Sequence, residues 1–154
     1  MNLPIQAFCL KGYGKDKVVL TIDRILGYPE STSYEGGYDV VGRVEIQAGN
    51  YYVTSEKYIF ATGTLYRFVK ELQRCYKTLN GVATYQMLLE NELIFRIEMG
   101  TGGHATIIGT YQERPDVENI LNFEMQTDQT YFNSVIQDIE KLKKIFGDFE
   151  GKIE

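Results

Sequence analysis

Apolar and polar residues alternate with a period of two in several segments of this chain. The clearest segment is 93–99, in which every second residue is apolar. Because successive side chains of a β-strand point to opposite faces, this period predicts half-buried strands. The glycine-rich stretch "MGTGGH" at 99–104 predicts a hairpin loop between two of them. The predicted inward-facing residues are Val18, Leu20 and Ile22; Val40, Val44, Ile46 and Ala48; Leu93, Phe95, Ile97 and Met99; Ala105 and Ile107; and Leu121, Phe123 and Met125.

The period changes to 3.6 residues in segment 64–79, which predicts an amphipathic helix. We expect it to end at "LNG", with Gly81 near the position that follows the last helical residue. The predicted buried face consists of Leu65, Phe68, Val69, Leu72, Tyr76 and Leu79, with Cys75 at its edge. The opposite face carries Arg67, Lys70, Arg74 and Lys77.

A second helix is predicted from about residue 130 to 146 and ends before Gly147. Its apolar stripe consists of Phe132, Val135, Ile136, Ile139, Leu142 and Phe146. Asp128 or Thr130 stands where a helix N-cap belongs, so we interpret "TDQT" at 127–130 as the corner between a strand and this helix. Replacing Asp128 by alanine is then expected to lower stability.

The order of strands, helix, strands and helix predicts the fold class. Strands that follow one another through turns favour an α+β domain over parallel α/β crossovers. We expect an antiparallel or mixed β-sheet of about six to eight strands, with the two amphipathic helices packed on one face. A length of 154 residues predicts one domain over residues 1–154.

The net charge is −5, and the excess of acidic residues is distributed unevenly along the chain. Residues 116–154 contain 9 acidic and 4 basic side chains, whereas the rest of the chain contains 12 of each. An acidic protein is poorly suited to nucleic acid, which requires cations against its phosphates. It suits a basic partner better, although the charge can also serve solubility alone.

Residue types that carry catalysis or hold metals are scarce. His104 is the only histidine, and it lies in a glycine-rich loop without a neighbouring nucleophile. The two cysteines, Cys9 and Cys75, are far apart and each reads as apolar packing. We therefore expect no enzyme, no cofactor and no metal.

The acidic segment "YQERPDVEN" at 111–119 has one alternative reading. Its carboxylates, Glu113, Asp116 and Glu118, are of the type that binds Mg²⁺ or Ca²⁺. Their spacing does not match a calcium loop, and Pro115 favours a solvated turn.

Tyrosines concentrate in residues 28–58, which hold Tyr28, Tyr34, Tyr38, Tyr51, Tyr52 and Tyr58. Tyrosine is favoured in protein interfaces and is equally common in strands, so this pattern leaves both roles open.

The N-terminus has no basic start followed by a long apolar run, and no segment approaches the ~20 apolar residues that cross a bilayer. With two separate cysteines, this predicts a reduced, cytoplasmic protein.

Several motifs together resemble one family. "LGYPESTSYEGGYDVVGRVEIQAGNY", the helix ending in "LNGVATY", "ENELIFRIEMGTGGHATIIGTYQE" and "LNFEMQTDQTYF" look like WapI-type immunity proteins of bacterial wall-associated polymorphic toxins. The resemblance covers roughly residues 8 to 146. "GGHATIIG" and "FEMQTDQTY" are its most specific parts.

The resemblance implies a cytoplasmic immunity protein that binds and neutralises the C-terminal toxin domain of a bacterial surface protein. Toxins of that class are often nucleases, so a basic partner is expected. No contact residue can be transferred from the family. From charge alone, the expected partner-binding residues are Glu118, Asp138, Glu140, Asp148 and Glu150.

Two other classes of function stay open from the residues. The chain could be a small-ligand-binding α+β module, which a deep pocket with convergent polar groups would favour. It could also be a carboxylate-dependent enzyme, for which a bound metal would be the sign.

Overall fold

Eight strands and two helices follow one another in the computed structural model, which describes residues 2–152. The strands are β1 (Ile5–Lys11), β2 (Lys17–Ile25), β3 (Asp39–Ala48), β4 (Tyr51–Ala61), β5 (Val82–Tyr85), β6 (Leu93–Met99), β7 (His104–Tyr111) and β8 (Leu121–Asp128). The helices are α1 (Thr62–Thr78) and α2 (Phe132–Phe146), and single 3-10 turns occupy Thr101–Gly103 and Gln129–Tyr131. The predicted α+β class is confirmed.

The strands form two four-stranded antiparallel sheets, with the orders β1-β2-β3-β4 and β5-β6-β7-β8. Antiparallel pairing was predicted, whereas the single sheet expected from the sequence is divided in two. The division falls at α1, which separates β4 from β5. A helix of this length spans about 25 Å, and β5, which follows it, pairs with β6 and not with β4.

The two sheets meet where the turn between β1 and β2 reaches the end of β8. The backbone N–H of Tyr13 donates to the carbonyl of Gln126 at 2.9 Å. The hydroxyl of Thr127, which is buried, donates to the carbonyl of Lys11 at 2.6 Å. The second sheet is therefore attached to the hairpin end of the first sheet by one main-chain hydrogen bond and one bond from a buried side chain.

The core is shared by both sheets and both helices. Helix α1 packs along β5, α2 packs along β1, and the helices contact each other. The helices thus lie at the edge strands of different sheets and not on one face of a single sheet. The ring of Phe68 from α1 lies 5.9 Å from Phe8 of β1 and 5.3 Å from Phe95 of β6, measured between ring centroids. These aromatic contacts join the two sheets through α1.

The predicted apolar positions of the strands are buried, with Met99 and Leu121 only partly so. In α1, Tyr76 and Leu79 are exposed, contrary to the sequence analysis, and Cys75 is buried within the face instead of at its edge. Tyr76 is exposed although it lies inside the helix. Leu79 leaves the helical path because it adopts a left-handed conformation (φ 56°), in which its N–H bonds to the Cys75 carbonyl. The helix therefore ends at Thr78, and Leu79, not Gly81, is the terminating residue.

The apolar stripe predicted for α2 is buried throughout. Within residues 2–152, neither helix has the length and apolar character required to cross a bilayer.

Candidate partner-binding surface

The chain contains one buried carboxylate, Glu35, in the segment between β2 and β3, as judged over residues 2–152. Its side chain is 5% exposed and forms an ion pair with Arg67 of α1 at 3.0 Å. Arg67 also donates to the main-chain carbonyl of Glu35. The segment is bent tightly, since Gly36 and Gly37 both have positive φ angles and Ser33 accepts from the Glu35 N–H. Burial of a charge is costly unless it is paired, so this carboxylate is expected to organise its surroundings.

Glu35 organises the loop between β5 and β6. Its carboxylate oxygens accept the backbone N–H groups of Leu88 at 2.8 Å and Leu89 at 3.2 Å. Asn91 closes the same loop, because its side-chain oxygen accepts from the Met87 N–H at 2.7 Å. The backbone is therefore held at several points, while the side chains of Leu88 and Leu89 remain 58% and 69% exposed.

Carboxylates gather directly beside these leucines. Glu90, Glu92 and Glu113 line one hollow, which joins the β5–β6 loop to the loop between β7 and β8. Burial raises the pKa of Glu92, and the charges of Glu113 and Glu90 raise it further, against a hydrogen bond from Tyr111 that lowers it. The charges of Glu90 and Glu113 thus act against ionisation of Glu92.

An open groove continues from Glu113 on its other side. It has a volume of about 530 Å³ and is lined by the start of β4, the end of β7 and residues 118–121. Tyr51 and Ile120, which are 71% and 46% exposed, contribute much of its apolar surface. Glu118 also lines the groove and is exposed. We call the β5–β6 loop (86–92), the β7–β8 loop (112–120) and Tyr51 together the loop surface.

The loop surface carries charge that the described part of the chain does not neutralise. Between residues 2 and 152, no cation forms a salt bridge with Glu90, Glu92, Glu113 or Glu118. The nearest cation in sequence, Arg114, is paired with Asp116 at 2.6 Å. Over the same residues, no group of three or more histidine, cysteine, aspartate or glutamate side chains is arranged to hold a metal ion.

The five acidic residues expected to bind a partner are divided among different places. Glu118 belongs to the loop surface, whereas Asp148 and Glu150 line a separate hollow beside Phe149. Asp138 of α2 is half-buried, and its charge acts on the Cys9 thiol of β1. Glu140 of α2 is turned toward α1, where Gln73 donates to it at 3.1 Å. Their role in binding stays a prediction.

Asp128 caps the 3-10 turn that precedes α2. Its carboxylate accepts the N–H of Thr130 at 2.9 Å and also the Thr130 hydroxyl. These bonds lower the pKa of Asp128. Of the two residues considered for the cap, Asp128 is therefore the acceptor and Thr130 the donor. The first residue of α2 follows Tyr131, which makes no side-chain cap.

His104 belongs to the same corner. The Tyr13 hydroxyl donates to Asp128 at 3.0 Å and lies 3.1 Å from Nδ1 of His104, which pairs with Asp128 in the β7–β8 register. The motifs "GGHATIIG" and "FEMQTDQTY" thus meet at the turn between β1 and β2, and both have a structural role there. Cys9 and Cys75 are free, and burial raises the pKa of each thiol.

Sequence reasoning missed Glu35, Leu88 and Leu89. The paired leucines in "MLLENE" stand directly before the polar run Glu90–Glu92 and are the one local signal of an exposed apolar site. Nothing local marks Glu35, because its contacts lie 53 and 54 residues away along the chain.

Comparison with known proteins gives one match. The model of the family described as "Immunity protein WapI-like family" matches residues 9–147. No curated protein and no solved structure matches the chain.

Proposed function

Since the chain belongs to the WapI-like immunity protein family, we propose that it is a cytoplasmic immunity protein. It binds the C-terminal toxin domain of a cognate bacterial surface protein and neutralises it. The toxin domain is proposed to be a nuclease with a basic surface. The observation that carries the proposal is the family match, which extends over residues 9–147 of 154.

The charge of the chain supports a basic partner. A nuclease requires cations to hold the phosphates of its substrate. A protein of net charge −5 with carboxylates that lack internal cations complements such a surface. Complementary charge accelerates association and disfavours wrong partners, which suits an inhibitor that must act as soon as a toxin enters.

The proposed action is stoichiometric binding without catalysis. The groove beside Tyr51 is open at the surface, whereas a small-molecule site encloses most of its ligand. An open groove beside exposed leucines suits a macromolecular partner better. The geometry thus favours protein binding over the small-ligand alternative.

Calorimetry tests the proposal. The probe is the C-terminal domain of the large surface protein encoded beside this gene, inactivated by substitution so that it can be produced. We expect one-to-one binding with a Kd of about 10⁻⁹ M or tighter, as in potent inhibitor complexes.

A growth assay with the active domain provides a second readout. Cells that express the toxin domain should survive only when the immunity protein is present at comparable levels. Absence of binding at micromolar concentration, together with no protection, would refute the proposed function for this toxin.

A further inference from the structure

We propose that the loop surface is the site that binds the toxin domain, and that it binds a basic patch with an apolar depression at its centre. This inference rests on the proposed function and specifies where the contact is made. Of the five acidic residues expected to bind the partner, it keeps Glu118 and replaces Asp138, Glu140, Asp148 and Glu150 by the two loops at one end of the second sheet and Tyr51.

The apolar part of the loop surface has the character of an interface centre. Leu88 and Leu89 are among the most exposed large apolar side chains of the protein, and Tyr51 and Ile120 are exposed in the adjoining groove. The two leucines are adjacent in the chain, and the groove with Tyr51 and Ile120 is connected to their loop through Glu113, which lines both hollows. Grouped exposed apolar side chains rimmed by polar residues are typical of interaction sites. Their burial against a partner supplies the desolvated centre on which affinity depends.

The charged part of the loop surface specifies the partner. Glu90, Glu92 and Glu113 share one hollow, and Glu118 adds a fourth carboxylate in the groove next to it. A lysine or arginine of the partner pairs with these carboxylates and can lay its aliphatic stem against the apolar side chains of the adjoining groove. An acidic rim around apolar anchors fits a nucleic-acid-binding domain, whose own surface must be basic.

The backbone of the loop surface is organised before binding. Glu35 holds the N–H groups of Leu88 and Leu89 and is itself fixed by Arg67. Asn91 bonds to both the N–H and the carbonyl of Met87. Because the loop is already ordered, binding loses little conformational entropy in it, and this increases affinity.

Binding measurements on matched variants test the inference, with the inactivated toxin domain as the probe. The double variant Leu88→Ala/Leu89→Ala should weaken binding by about 30-fold or more, the level that defines a hot spot. Ile59→Ala is the apolar control, since Ile59 is similarly exposed but lies on β4, outside the loop surface. Its Kd should stay within about threefold of the wild type.

Charge reversal gives an independent readout. The variant Glu90→Lys/Glu118→Lys should associate about tenfold more slowly at low salt and lose much of its salt dependence. Glu30→Lys/Glu124→Lys is the control, because it changes the net charge equally at two exposed carboxylates outside the loop surface. Unfolding midpoints by circular dichroism establish that each variant is folded.

The outcomes separate the two proposals. If both loop-surface variants bind the toxin domain as the wild type does, the loop surface is not the contact site, but the immunity function still stands. A loss of binding confined to Asp138→Lys/Glu140→Lys leads to the same conclusion and would place the contact on α2. A wild-type chain that neither binds the domain nor protects cells overturns both proposals.

Discussion

Removal of the Glu35 carboxylate tests the central physical claim about the loop surface. Glu35→Ala deletes the acceptor for two backbone N–H groups and leaves Arg67 without its partner. Hydrogen bonds to a charged group contribute about 1.5–3 kcal/mol each, and removing one partner of a buried ion pair costs about 3–5 kcal/mol. Arg67 is 33% exposed and can regain water, so we expect a loss of about 3 kcal/mol in the free energy of unfolding.

Equilibrium unfolding in urea, followed by circular dichroism, measures this loss. In thermal unfolding it corresponds to a decrease of about 6–12 °C for a chain of this size. Glu98→Ala is the matched control, because Glu98 also pairs with an arginine, Arg96 at 2.8 Å, but is 43% exposed. An exposed pair contributes about 0–1 kcal/mol. If the two variants differ by less than about 1 kcal/mol, Glu35 does not stabilise the fold as argued.

Amide hydrogen exchange separates a local effect from a global one. In Glu35→Ala the N–H groups of Leu88 and Leu89 should exchange much faster, while amides of β6 and β7 change only by the global loss of stability. Glu35→Gln retains one acceptor oxygen and should lie between the wild type and the alanine variant. Unchanged protection of both leucine amides in Glu35→Ala would show that Asn91 alone orders the loop.

Three further predictions follow from the perturbed groups. Asp128→Ala should lower the unfolding midpoint at neutral pH relative to the wild type. The difference between the two proteins should vanish as the pH falls through the lowered pKa of Asp128, because the cap requires the ionised carboxylate. An equal difference in acid would contradict the cap. Burial raises the pKa values of Tyr58 and Tyr85. Above pH ~10 these tyrosines ionise in the unfolded chain but not in the folded one, so the free energy of unfolding should fall as the pH rises above that value. Absorbance of the 12 tyrosines should therefore increase in two steps, the second coinciding with unfolding by circular dichroism, and one step without unfolding would refute this. Cys75, whose pKa burial also raises, should react with a thiol reagent far more slowly in the native than in the unfolded protein, and equal rates would contradict its burial.

The sequence alone was sufficient to locate the strands and helices whose apolar side chains recur with a clear period. Segment 93–99 and the α2 stripe were located correctly because one face of each is buried along nearly its whole length, with only Met99 partly exposed. The strand β1 was not assigned, since its burial pattern is irregular: Ala7 and Phe8 are both buried, and the register with β2 shifts between Gln6 and Phe8. A bulge of this kind breaks the period on which the assignment depends.

The division into two sheets could not be read from local pattern. Every pairing joins strands that are consecutive in sequence, and a single eight-stranded meander would have the same local signals. What separates the sheets is long-range packing, in which Phe68 of α1 contacts aromatic rings from both. The same limit applies to the end of α1, where the left-handed conformation falls on Leu79 although glycine follows two residues later.

On the proposed toxin-binding role, the arrangement of the loop surface would let one scaffold serve different toxins. None of the residues in 86–92 or 112–120 is buried, so their side chains can change without disturbing the core. Glu35 binds the β5–β6 loop through backbone N–H groups, which every residue except proline possesses. The scaffold therefore fixes the positions of residues 88 and 89 and leaves their side chains free to vary. Exchanging the β5–β6 and β7–β8 loops between family members should then exchange toxin preference, while the unfolding midpoint stays nearly constant.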